Sequence, residues 1–227
     1  ERVMIVSDLS LDSAGNLAEV SPMDRMVGRE GDTLLVNGQL RPRLLAAPGQ
    51  REHWRLINAC PSRYLRLTLD GQIMRLFGRD VGRLPDALEV THIDLLPGNR
   101  VDLLIEVGEG SATLVATPIE RGGMRGMMGG RPPVTEPFDL ATLEVAGTPD
   151  APLARIAAGP AVPDLRERPV ARRRTVQFAM TGMMGSGGGM MSFTIDGREF
   201  DADRTDITVA VGTVEEWTFV NTSPMDH

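Results

Sequence analysis

Few side chains in this 227-residue sequence could hold a metal or carry a reaction. Three are histidines, His53, His92 and His227, the last closing the run WTFVNTSPMDH. Cys60 is the single cysteine, which excludes an intrachain disulfide and a cysteine-cluster metal site. The other notable class is thioether sulfur. Of 13 methionines, eight fall in two glycine-rich stretches: Met124, Met127 and Met128, then Met180, Met183, Met184, Met190 and Met191. Thioethers are soft ligands that prefer Cu(I) to harder ions. They also pack loosely in flexible loops. The five glycines of MTGMMGSGGGMM leave little for a core to pack against. His53 and His92 sit in the strand-like runs HWRLIN and VTHIDLL with no partner at metal-ligand spacing, so both read as satisfied structural histidines. By itself His227 reads as a solvated terminal residue.

Other chemistries find no support. GSGGGMM lacks the lysine and following helix of a phosphate loop, and there is no nucleophile elbow or His-Glu zinc helix. The carboxylates of EGDTLL, GRDVGRLPD and DADRTD are scattered and read as solvated turns. The formal net charge is −7, which argues against a nucleic-acid partner. No apolar run approaches the roughly 20 residues of a membrane span. The first residues, ERVMIVSDLSL, have neither the basic region nor the apolar length of a signal peptide, and no initiator methionine. They read as the start of a processed product or a piece.

The elements that would position these side chains are strands. The 25 glycines and 16 prolines favour turns over long helices, and no convincing helical stretch is found. Short β-branched or alternating runs recur: ERVMIVSDL, TLLVNG, HWRLINA, YLRLTLDG, LEVTHIDLL, RVDLLIEV, SATLVATPI and LATLEVAG. Residues 148–171 hold five prolines without alternation and read as a linker. Strand signals resume in RTVQFAMTG, MMSFTIDG, DITVAVG and EEWTFVNT. Such spacing predicts an all-β sandwich or barrel.

The two halves repeat one another. Gly49 precedes Trp54 by five residues, as Gly212 precedes Trp217. Each tryptophan precedes an asparagine by four, Asn58 and Asn221, and six residues further lie Tyr64 and His227. Only the stretch from Gly38 to Gly49 differs, since Gly197 and Gly212 lie four residues further apart. Along a strand, alternate residues share a face, so Trp54, Leu56 and Asn58 should match Trp217, Phe219 and Asn221. The aromatics would anchor a core and each asparagine would turn the chain at its strand end.

On these residues the sequence resembles the multicopper oxidases, the family of laccases and bacterial cuprous oxidases. NGQLRPRLLAAPGQREHWRLINACPSRYLRL is similar to their second cupredoxin domain, and TIDGREFD with VGTVEEWTFVNTSPMDH to the opening of their third. The resemblance implies cupredoxin-like Greek-key β-sandwiches, one complete over 1–147 and one partial over 172–227. It implies that His227 begins an H-P-x-H-x-H motif as a type 1 copper ligand, with Tyr64 in the metal-free counterpart slot. Four coppers per complete enzyme would take electrons singly from a reductant, Cu(I) first and phenols second, and reduce dioxygen to water. Met225 and Asp226, with Met183, Met184, Met190 and Met191, would form a Cu(I) substrate site.

The departures are equally plain. The first-domain histidine pairs and the later H-C-H segment are missing, and Cys60 lies in the loop of the metal-free domain. A blue site needs a thiolate and two imidazoles, so this stretch alone should bind no catalytic copper and be inactive. Its partners would be the missing cupredoxin portions of the same protein, in a periplasmic or extracellular setting. The alternative is a non-catalytic cupredoxin-like tandem that binds a partner, or Cu(I), through its methionine-rich loops.

Overall fold

A computed structural model of the chain describes residues 1–119, 136–149, 154–181, 192–223 and 225. These residues divide into two compact units, one running to 161 and the other from 162.

The first unit is a sandwich of two sheets. One holds β2 (Thr33–Val36), β1 (Arg2–Leu9), β4 (Arg51–Asn58), β9 (Arg100–Glu106), β6 (Ile73–Arg79) and β7 (Gly82–Val90), in that order. The other holds β3 (Arg43–Ala46), β11 (Phe138–Val145), β10 (Ala112–Pro118), β5 (Leu65–Leu69) and β8 (Ile93–Leu95). Alternation fixes which residues face inward. In β4, Glu52, Trp54, Leu56 and Asn58 are buried while their neighbours are not. Trp54 and Leu56 are wholly buried, with Val6, Leu67, Leu95 and Ile105 in the same core.

The second unit has one sheet among the described residues: β13 (Ser192–Ile195), β12 (Val170–Thr181) and β14 (Val214–Asn221). It copies the start of the first unit strand by strand. β1 lies antiparallel to β2 and parallel to β4, with Arg2 opposite Trp54 and Val6 opposite Asn58. β12 lies antiparallel to β13 and parallel to β14, with Arg174 opposite Trp217 and Phe178 opposite Asn221. Even the turns agree. Asn37 and Gly38 both have positive φ and close a two-residue hairpin turn, as do Asp196 and Gly197. Each turn side chain accepts from the backbone of the neighbouring long strand, Asn37 from Ile5 N and Asp196 from Gln177 N, both at 2.8 Å.

A second shared device is polar. Arg2 Nε donates to Glu52 (2.6 Å), and Glu52 accepts also from Trp54 Nε1 (2.6 Å). Arg174 Nε donates to Glu215 (2.6 Å), which accepts from Trp217 Nε1 (2.9 Å). Nη2 of each arginine also donates to the same glutamate and reaches a backbone carbonyl nine residues before each tryptophan, Leu45 O at 2.5 Å and Thr208 O at 2.8 Å. A long-range parallel pairing is thereby locked by one guanidinium, one carboxylate and one indole.

Three expectations need correcting. DITVAVG is not a strand, because its counterpart β3 is held by pairing with β11 and no described residue of the second unit plays that part. LEVTHIDLL is not one run: β7 ends at Val90 and β8 starts at Ile93 in the opposite sheet, with Thr91 and His92 at the corner. A short helix, α1 (Pro22–Val27), does form, started by a capping box in which Ser21 and Asp24 satisfy one another. Six residues are too few for periodicity to reveal, although S-P-M-D carries the cap signature.

Within the segment read as a linker, residues 154–161 are tied to the first unit. Arg51 donates to Ala154 O (2.6 Å), Arg83 to Ala157 O (2.7 Å), and Gly159 N to Pro85 O (2.6 Å). This covers the otherwise open edge of β7, which already carries Pro85.

Two outcomes follow from these contacts. Burial raises the Glu52 pKa, but the hydrogen bonds from Arg2 and Trp54 outweigh it and hold the carboxyl below its ordinary value. Glu52 therefore contributes stability that is present above about pH 4.5 and lost as pH falls through its lowered value. Glu52→Gln should cost roughly 2–3 kcal/mol at neutral pH and flatten that acid limb, read by denaturant unfolding across pH. At Gly159 a Cβ would run into Leu84 O. Gly159→Val should release the strap and speed protease cleavage within 154–161 by about tenfold, the equivalent of one lost hydrogen bond.

Candidate functional site

In sequence the candidate residues follow directly on the ends of β12 and β14. The two strands run parallel, so Thr181 and Asn221 finish at the same end of the sheet. From Thr181 the chain departs into the methionine-rich connection to Ser192, and from Asn221 into T-S-P-M-D-H. Thr222 N donates to Phe178 O (2.9 Å), extending the pairing one step past the strand. Asn221 then organises the loop. Its Oδ1 accepts from Ser223 N (2.9 Å) and its Nδ2 donates to Met225 O (2.6 Å).

The first unit does the same with Asn58, whose Oδ1 accepts from Cys60 N (2.9 Å) and whose Nδ2 donates to Arg63 O (2.8 Å) and Leu95 O (2.9 Å). The acceptor lies five residues on at Arg63 and four on at Met225, so the two loops differ by one residue. Tyr64, the counterpart proposed for His227, is half-buried after this loop.

The side chains that fill the two places differ in kind. Arg63 is buried, with Nε 3.1 Å from Asp8 Oδ2, Nη2 donating to Gly31 O (2.5 Å) and Nη1 3.6 Å from Glu30. Its guanidinium lies 5.0 Å from the Phe138 ring centroid. Cys60 is buried beside this cluster, and desolvation, followed by the charge of Asp8, pushes its thiol up to about 12. A thiol so held is a poor source of the thiolate that a blue copper site requires.

Of the residues singled out from sequence, Met225 is described and half-buried. His227, Asp226, Met183, Met184, Met190 and Met191 lie outside the described residues. His53 packs on the outer face of β4, its Nε2 2.8 Å from Asp102 Oδ1 and its ring against Phe77. His92 is exposed, with Thr91 Oγ1 3.3 Å from its Nδ1. Among the described residues no three histidine, cysteine or carboxylate side chains converge as a metal site. The described side chains do not fit a blue copper, since no thiolate and no pair of imidazoles come together.

Sequence reading missed the Arg–Glu–Trp clamps and the Asp8–Arg63 pair. The clamp did leave a signal, a glutamate two residues before each tryptophan, Glu52 and Glu215. The buried pair left none, because an aspartate and an arginine 55 residues apart look like two surface charges.

No family model matches the sequence. The cell division protein FtsP of Edwardsiella tarda is 32% identical over 225 residues, covering 95% of this chain and 44% of that protein. A multicopper oxidase of Campylobacter jejuni, described as a metallo-oxidase, matches 100% of this chain and 48% of its own, at 26% identity and a TM-score of 0.82. The laccase-like multicopper oxidase CueO of Ochrobactrum shares the fold at 21% identity and a TM-score of 0.72, covering 96% of this chain and 49% of its own. The chain thus spans about half the length of the proteins it matches. With the sandwich, its partial copy and these relatives in agreement, the chain belongs to the multicopper oxidase family of cupredoxin-like proteins.

Proposed function

We propose that the longer protein containing this chain is an oxidase that takes single electrons from Cu(I), or secondarily from phenols, and passes them to dioxygen. In this reading residues 1–147 are a metal-free middle domain and 172–227 begin the copper-bearing one. His227 is a type 1 copper ligand, and the remaining ligands come from the rest of the protein, in an exported compartment. The chain's own residues supply the frame and the approach of the substrate. The observation that carries this reading is the parallel pairing of β12 and β14. It sends the methionine-rich connection and the segment ending in His227 out of the same end of one sheet. On this reading soft thioethers would serve an imidazole that belongs to a redox metal. A Cu(I) ion held by Met225, Asp226, Met183, Met184, Met190 and Met191 would sit within reach of that centre.

A second reading has its own support: the similar curated relatives are named as cell division proteins. A non-catalytic protein that binds a partner, or stores Cu(I), would keep the fold without the electron chemistry.

The longer protein, loaded with copper, separates the two. On the oxidase reading it shows blue absorption and consumes dioxygen with Cu(I) as reductant. His227→Ala should remove the absorption and lower uptake beyond the roughly 100-fold that loss of an outer-shell partner can cost. A copper-loaded protein that consumes no dioxygen with either Cu(I) or phenols would leave only the non-catalytic reading.

A further inference from the structure

The strap at the edge of β7 is held much as a peptide ligand would be. The ground beneath it is a break in the sheet. Leu76 pairs with Leu88 and Gly78 with Arg83, so one residue of β6, Phe77, stands against four of β7, Leu84–Ala87. Bulges of this kind re-aim groups at a sheet edge. Here Pro85 O accepts from Gly159 N (2.6 Å), and Leu84 O lies where a Cβ on Gly159 would meet it. Pro85 has no N–H to offer a partner. Donors come instead from two side chains, Arg51 to Ala154 O and Arg83 to Ala157 O. The sheet orients both of them. Arg51 is paired with Glu106 (2.8 Å), and the Arg83 guanidinium lies 5.8 Å from the Phe77 ring centroid. The strap adds little of its own: within 154–161 only Ile156 and Gly159 are half-buried, and the other residues are exposed.

We propose that the edge of β7 is a docking site for an extended peptide segment of another protein, and that residues 154–161 fill it in cis as a built-in competitor. The site meets backbone groups of both polarities, as strand addition does. The Pro85 carbonyl takes an N–H, and the two arginines take carbonyls. Neither arginine meets a carboxylate of the strap, so the occupant is recognised by its main chain and needs no charge. Side-chain choice is narrow. The place of Gly159 admits only glycine, and the residue three positions earlier is apolar. The two carbonyls that are held belong to alanines, so a segment with larger side chains there would add contacts that the strap leaves unmade. A second copy's strap would make only the contacts already made, and it would lose to a tethered one whose effective concentration is on the order of millimolar. The site uses none of the residues assigned to copper.

The test uses the full chain and a fluorescein-labelled synthetic peptide of residues 153–162, followed by anisotropy. Ile156→Asp/Gly159→Val vacates the edge, and a thermal melt matching the native one confirms that the first unit folds. Should that double variant melt early, Gly159→Val alone takes its place. The vacated chain should bind the peptide saturably, about tenfold or more tightly than the native chain, whose edge is filled. Adding Arg83→Ala, or putting valine in place of the peptide's glycine, should weaken binding about tenfold, the equivalent of one hydrogen bond. Equal binding by native and vacated chains, or binding by neither, overturns the proposal. So does a valine-bearing peptide that binds as well as its parent. A native dimer in sedimentation that the vacating substitutions dissociate would give the edge to a second copy and overturn the partner in trans.

Discussion

The structure depends on closing one long-range pairing: the first strand of each unit must find, in parallel, a strand that starts about 40–50 residues later. Parallel neighbours cannot be joined by a tight turn, so nothing local sets their register. The Arg–Glu–Trp clamp does so instead. An arginine on the first strand reaches a glutamate on the later one, and that glutamate holds the indole that fills the core. A slip by one residue would turn the tryptophan outward and strand the guanidinium. With the register fixed, Asn58 and Asn221 fall at the strand ends and organise the loops that follow.

The same frame carries unequal burial. Trp54 and Leu56 are fully buried under the opposing sheet, while Trp217 is 37% and Phe219 61% exposed. Phe193 and Ile195, matched to the buried Leu34 and Val36, are also open. The described part of the second unit thus presents the inner face of a sandwich, with Val176 its one buried apolar side chain among those in the described residues. A groove of about 460 Å³ on this face, between Phe178, Ile195 and Arg198, belongs to that face.

Much of this was legible in the sequence because the repeat is written in strong signals. Two tryptophans and two asparagines stand at matched spacing after a glycine, and each has a local physical reason to be where it is. The fold class and the inward facing of Trp54, Leu56 and Asn58 followed from alternation. What escaped was whatever depends on a distant partner. DITVAVG has every local property of a strand and fails for lack of a neighbour. Arg63 reads as a surface residue and is buried because Asp8 and Gly31 meet it. The polyproline stretch reads as slack, yet Arg51 and Arg83 pick up its carbonyls. His227 was singled out only through its offset from Asn221, since a lone imidazole offers no other clue.

The seclusion of Cys60 bears on handling as well as chemistry. Its sulfur is buried, and desolvation holds the thiol well above the ordinary cysteine range. Copper salts and oxidants that crosslink accessible sulfhydryls should leave this one untouched. Covalent dimers would then be absent from a folded sample, and labelling by a maleimide would report unfolding of the first unit.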